Sequence, residues 1–161
     1  MSPTSKIVSR TSQAGSGFRP PIRRPRRTIE VSAGLIFRSG RLLITQRHPG
    51  DPLGGLWEFP GGKRETDETF EQCLARELRE ELGVEVIVGK LFESVTHAYG
   101  DQTLQLKFFL CQLSAGEPQA LDCAALKWVR RNELRAHVFP AADARLLRRL
   151  LADPRRWQPV A

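Results

Sequence analysis

The chain has 161 residues, with 25 Lys and Arg against 18 Asp and Glu, for a formal net charge of +7. That length can bury a full core as one globular domain, and no apolar run approaches the roughly 20 residues that span a bilayer. The three cysteines, Cys73, Cys111 and Cys123, lie far apart with no metal-ligand spacing, so reduced thiols and a cytoplasmic location are expected.

Residues 1–28 carry Lys6, Arg10, Arg19, Arg23, Arg24, Arg26 and Arg27 and no acid. Removing these seven from the 25 basic residues leaves 18 against 18 acids, so the remainder is neutral by count. The segment is rich in Ser, Pro, Gly and Arg and poor in apolar residues, and it is read as a disordered basic tail. A solvated tail, an arm that contacts nucleic acid or another polyanion, and a targeting segment all stay open.

From Ile29 the pattern changes to that of a folded domain, taken as 29–152 and followed by a C-terminal tail, 153–161. "IEVSAGLIF" and "RLLITQR" predict two strands joined at Ser39-Gly40. "HPGDPLGG" predicts a loop and "LWEFP" a short strand. A helix is expected from about Asp67 to Leu82, stopped by Gly83. "VEVIVGKLFESVTHAY" and "TLQLKFFLCQL" predict strands around the turn "GDQ". The loop "GEPQALDCAA" and the short strand "LKWV" follow. Pro140 is placed to open a closing helix, "AADARLLRRLLA". Strands with two interspersed helices give an α/β domain.

The central helix raises the chemical question. At 100° per residue, Phe70, Leu74, Leu78 and Leu82 spread over about 120° of its surface. Glu77 and Glu81 then fall at about −20° and +20°, with Glu80 at about −80°. Carboxylates on the edge of a buried arc are costly unless something pairs with them. Salt bridges to Arg76 and Arg79 are one answer. A divalent cation is another, because hard cations take carboxylate oxygens and keep waters for phosphate groups.

Upstream spacing favours the cation. Gly62, five residues, Glu68, seven residues, Arg76-Glu77-Leu78, one residue, Glu80-Glu81, one residue and Gly83-Val84 together match the Nudix box. "LWEFPGGK" before it, "ITQR" and "FPAAD" resemble the MutT branch of the Nudix hydrolases, and the resemblance runs from about Ile29 to Leu151. It implies an α/β/α sandwich with a mixed sheet. It also implies Mg²⁺-dependent hydrolysis of nucleoside triphosphates, often oxidised ones, to monophosphate and pyrophosphate, with Mn²⁺ as a possible substitute.

The same resemblance carries roles onto single residues. Glu77, Glu80 and Glu81 match the metal-binding carboxylates, and Gly61 the glycine whose carbonyl joins them. Glu68 matches a carboxylate near the attacking water, and Lys63 is placed to neutralise phosphate charge. Arg76 is expected to fix the carboxylates by salt bridging. Asp122 stands where MutT-type enzymes usually have Glu, with plain solvation as the other reading. Arg47 matches a nucleotide-contacting arginine, and Asp143 stands where the best-known MutT enzyme has Asn. Tyr99 and Phe139 are candidate aromatic contacts for the base. Core packing for both aromatics and helix capping for Asp143 stay open.

Two other functions remain at this point. One is hydrolysis of another nucleoside diphosphate derivative. The other is a noncatalytic Nudix-fold reader of a modified base in DNA, favoured only by the arginine-rich tail.

Overall fold

The computed structural model describes residues 27–158. The basic segment before Arg27, and with it any nucleic-acid contact by the tail, lies outside the described residues. Strand β1 is Arg27–Arg38, so the first strand begins two residues before Ile29. Arg27 and Thr28 already pair in parallel with Gln102 and Thr103.

The remaining strands are β2, Arg41–Gln46; β3, Trp57–Glu58; β4, Gly61–Lys63; β5, Glu85–Tyr99; β6, Gln102–Ala115; and β7, Ala125–Val129. Their order is β3-β2-β1-β6-β5, with β4 also paired to β1 and β7 to β2. Only the β1–β6 pair is parallel among those described, so the sheet is mixed. Gly61–Lys63, between the strand "LWEFP" and the helix, form a strand that the two glycines do not signal in the sequence. In the fold these residues pair with Val31, Ser32 and Ala33.

Period-two alternation sorts the strand residues into two cores. Ala33, Leu35, Leu42, Ile44 and Phe108 join one cluster with Leu146 and Leu150. Ile36, Leu43, Phe109 and Cys111 join the other, with Leu74, Leu78 and Leu82. Each cluster is completed by one helix, α1 (Phe70–Leu82) or α2 (Ala144–Ala152). The result is the expected α/β/α sandwich. No helix is long and apolar enough to cross a membrane among the described residues.

Helix α1 begins at Phe70 rather than near Asp67, because Thr69 and Gln72 form a capping box. The Gln72 N–H donates to Thr69 Oγ1 at 3.1 Å, and the Thr69 N–H donates to Gln72 Oε1 at 2.8 Å. Such a cap satisfies two otherwise orphaned N–H groups. Gly83, in the left-handed region at φ 69°, ends the helix as expected.

The closing segment departs from the sequence reading in two ways. Pro140 leads into a 3₁₀ turn, Ala141–Asp143, before α2 starts. Of the expected tail, 153–161, the described residues 153–158 are not simply a tail. A second 3₁₀ turn, Pro154–Trp157, buries Trp157, whose Nε1–H donates to the Leu150 carbonyl at 3.0 Å. Its ring meets Phe37 edge-on at 5.3 Å between centroids. An indole that large completes the core beside α2, so the domain extends at least to Trp157.

Candidate active site

Three elements meet around the glutamate edge of α1. Strand β4 brings Gly61 and Gly62 against the helix. A Cβ on Gly61 would lie 2.0 Å from the Ser32 carbonyl oxygen, and one on Gly62 would lie 2.2 Å from the Glu77 carboxyl carbon. Only glycine lets the backbone come this close. The loop after β6 closes a second side: the Leu121 and Asp122 N–H groups donate to the Glu81 carbonyl at 3.0 and 3.1 Å. The loop after β2 closes the third, with the Arg47 N–H on the Leu56 carbonyl and the Gly55 N–H on the Arg47 carbonyl.

The cleft between them is about 150 Å³ and strongly acidic. Its lining includes the carboxylates of Asp51, Glu58, Glu77, Glu80, Glu81 and Asp122, against the positive charge of Arg47 and the imidazole of His48. Glu81 is buried and accepts the Gly61 N–H at 3.2 Å. Burial, with the charge of Glu58 next in weight, pushes its carboxyl up to about 8 against the helping Gly61 N–H. Burial also raises Glu77 and Glu58, even though Arg76 and Arg47 pull the other way.

Arg76 links the carboxylates, as expected from its spacing. It donates to Glu68 (2.6 and 3.0 Å), Glu77 (2.8 Å) and Glu80 (3.2 Å), and to the Lys63 carbonyl. These bonds, with the Glu65 N–H, hold the Glu68 carboxyl down at about 2. On the far side Arg47 donates to Glu58 at 2.7 Å and to the Pro52 carbonyl at 2.8 Å.

Residues 32–149 match the NUDIX domain family. That span covers well over half of the chain. This protein belongs to the Nudix hydrolases. Among curated relatives, an 8-oxo-dGTP diphosphatase of Haemophilus influenzae is 37% identical over 80% of this chain and 95% of its own. A CTP pyrophosphohydrolase of Escherichia coli is 39% identical over 77% and 92%. The solved structure of the E. coli ORF135 protein superposes with a TM-score of 0.68 at 38% identity, covering 78% of this chain and 90% of that one. Its place is in the MutT-like branch, to which further solved structures also belong.

Nudix hydrolases use a divalent metal, and the residues here fit one. The donors are hard carboxylate oxygens, and the missing Cβ of Gly62 leaves the space that Glu77 fills. Among the described residues no three His, Cys, Asp or Glu side chains form a ready-made metal-ligating group. In this arrangement Arg76 holds oxygens of Glu77 and Glu80.

The cleft brings together Arg47, Gly61, Glu77, Glu80, Glu81 and Asp122 of the residues singled out in the sequence. Asp122 is solvent-exposed, 3.5 Å from His48 Nε2. Lys63 and Glu68 stand beside the cleft rather than in its lining, Lys63 exposed on β4 and Glu68 turned onto Arg76.

The proposed base contacts divide more sharply. Tyr99 does not reach the cleft. It ends β5 opposite Gln102, which is level with Arg27, whereas Gly61 pairs with Ala33. Six residues of strand separate those levels, about 20 Å. Tyr99 leans instead on His97 at 4.4 Å. Phe139 is half-buried and stacks on Phe59 at 5.2 Å, a core contact.

Asp143 does not cap α2: it makes no capping bond and has helical φ and ψ of −86° and −6°. It is buried, and burial together with the charge of Glu58 raises its carboxyl to about 7. Glu58 was missed in the sequence. A single acid in the apolar stretch "LWEFP" was its one signal, and in the fold its charge acts on both Glu81 and Asp143.

Proposed function

We propose that this chain hydrolyses nucleoside triphosphates to nucleoside monophosphate and pyrophosphate, with Mg²⁺ as the working cation and Mn²⁺ as a substitute. The observation that carries this reading is the acidic cleft, six carboxylates gathered where β4 leaves room against α1. A divalent cation held by Glu77, Glu80, Glu81 and the Gly61 carbonyl would supply charge neutralisation at the phosphates and activation of the attacking water.

The chain's own groups do the rest. Arg76 keeps the glutamates oriented through its bonds to Glu68, Glu77 and Glu80. Glu68, held well below the usual carboxylate range, stays ionised at neutral pH as a fixed negative partner. Lys63, exposed at the end of β4, offers positive charge to the phosphates as the bond breaks. Water adds across the bridge between the α- and β-phosphates, that P–O bond breaks, a proton is released from the water, and monophosphate and pyrophosphate separate.

The cleft at about 150 Å³ holds the cation and phosphates, not a whole nucleotide. The base therefore extends past it, beyond the side lined by Arg47 and Glu58 and toward Asp143. Ionised carboxyls only accept hydrogen bonds. In their ionised forms Glu58 and Asp143, the latter above about pH 7, favour a base edge rich in donors, such as the amino and ring N–H groups of 8-oxoguanine or the amino group of cytosine; below that pH a protonated Asp143 also donates. The names of the two relatives fit such bases. Sanitation of the nucleotide pool in the cytoplasm is the corresponding role.

The test is a panel of 8-oxo-dGTP, dGTP, CTP, dTTP and ADP-ribose with Mg²⁺. Amino-bearing triphosphates should yield equal amounts of monophosphate and pyrophosphate, with dTTP the poorest. Preference for ADP-ribose would move the assignment to nucleoside diphosphate derivatives, and no turnover of any compound would favour a reader domain.

A further inference from the structure

A second cavity, of about 560 Å³, opens at the other end of the sheet, between the β1–β2 turn, the segment after β7 and the end of α2. Strand β2 starts beside this cavity and leads into Arg47 in the acidic cleft, and β7 runs beside it with Leu42 opposite Val129 and Gln46 opposite Ala125. Six residues of strand place the two cavities about 20 Å apart.

The lining of this second cavity contains Arg130, Arg131 and Arg135 and no Asp or Glu. No ion pair involves these three arginines among the described residues. The neighbouring acids do not line the cavity, and Glu133 lines a separate recess. Glu133 accepts the Arg130 backbone N–H at 2.7 Å, and Asp153 pairs with Arg156 at 3.0 Å. Arg131 is pre-set, because its Nε and Nη2 donate to the Leu151 carbonyl. That bond covers the negative end of α2, which would otherwise repel an anion. Leu151 and the buried Trp157 add apolar surface to the lining.

We propose that this cavity binds a small polyphosphate anion, from pyrophosphate to a nucleoside triphosphate in size, on Arg130, Arg131 and Arg135. Three guanidinium groups brought together without acids repel one another, and an anion between them relieves that repulsion. Their forked donors match phosphate oxygens better than an ammonium does. The volume is that of a small-molecule site, which lies roughly between 300 and 1,000 Å³. The recess is an open depression bordered by a turn, the segment after β7 and a helix end, and its three arginines offer a footprint the size of a compact anion.

The test is calorimetric titration of the full chain with tripolyphosphate in EDTA, which keeps divalent ions out of the acidic cleft. Arg130→Gln/Arg135→Gln should weaken binding tenfold or more, leaving melting temperature and triphosphate turnover unchanged. Glu80→Gln should bind as the parent does. The basic N-terminal segment is present in every protein compared, so the difference reports the cavity. Equal affinity in parent and double variant would overturn the proposal, as would no binding by the parent at millimolar tripolyphosphate. It would also be overturned if the double variant lost affinity for a single-stranded oligonucleotide but kept it for tripolyphosphate.

Discussion

The two ends of β2 carry opposite charge. At one end six carboxylates face Arg47 and His48, and at the other three arginines face no acid. By count the chain after residue 28 is neutral, so its sequence total hides a separation of charge that only the fold creates. The difference also lies in how each end is built. The acidic cleft is drawn tight by hydrogen bonds from Arg76, Arg47 and the Gly61 N–H. The basic cavity has one arginine anchored and its other two free of ion pairs among the described residues. One end is preorganised for chemistry, the other for capture of an anion.

The sharpest way to break the acidic end without changing its charge is Gly62→Ala. The new methyl would overlap the Glu77 carboxyl, a flexible group able to swing aside. The protein should fold with turnover reduced by about 10²–10³-fold, the size of losing one preorganised transition-state contact. Gly50→Ala, where a Cβ meets nothing within 4 Å, is the matched control and should be neutral. Equal turnover in both variants would show that the Glu77 position is unimportant.

At the basic end the equivalent break is Trp157→Ala. Loss of the buried indole should reduce unfolding free energy by roughly 3–5 kcal/mol in a denaturant titration. An unchanged midpoint would mean that Trp157 belongs to a tail after all.

Much of the acidic end was legible in the sequence. The helical period sets Glu77, Glu80 and Glu81 beside the leucine arc, and that period survives in α1. Glu58 was not legible, because a two-residue strand is too short for alternation to reveal which side chain faces inward. Tyr99 was misjudged for a related reason: the position of a long hairpin tip depends on register, which pairing sets and local pattern does not. The arginine cavity was invisible as well. Arg130, Arg131 and Arg135 carry no motif in the sequence, and only the fold sets the β1–β2 turn and the end of α2 beside them.

A smaller effect is expected from Asp143→Asn. The Asp143 carboxyl sits at about 7 in the fold, above its ordinary 3.8. Below about pH 4 both folded and unfolded chains hold the proton and no penalty arises. Between those values the unfolded chain ionises first, so the stability tied to Asp143 is lost as pH rises to about 7. The advantage of Asn over Asp should therefore grow between pH 4 and pH 8, by on the order of 1–3 kcal/mol. A pH-independent difference would contradict the burial assigned to Asp143. If Asp143 also reads the base, the same variant should shift the CTP to 8-oxo-dGTP ratio of kcat/KM by about tenfold or more.

The smallest effect belongs to the basic N-terminal segment. Removing residues 2–26 should leave melting temperature and turnover unchanged, since the described residues between Arg27 and Trp157 complete two cores and two cavities. A large fall in melting temperature would show that the segment packs on the domain.

The most direct test of the acidic cleft as a cation-dependent catalytic centre is a Mg²⁺ titration of pyrophosphate release by the parent and Glu80→Gln. Glu80 is largely exposed and, among the described residues, bonds through its side chain only to Arg76, so its amide should fold normally. The parent should release pyrophosphate only with a divalent cation present. Glu80→Gln should lose about 10²–10⁴-fold in turnover, with saturation displaced to higher Mg²⁺. Turnover within a few-fold of the parent at every Mg²⁺ concentration, or parent activity that persists in EDTA, would contradict the account.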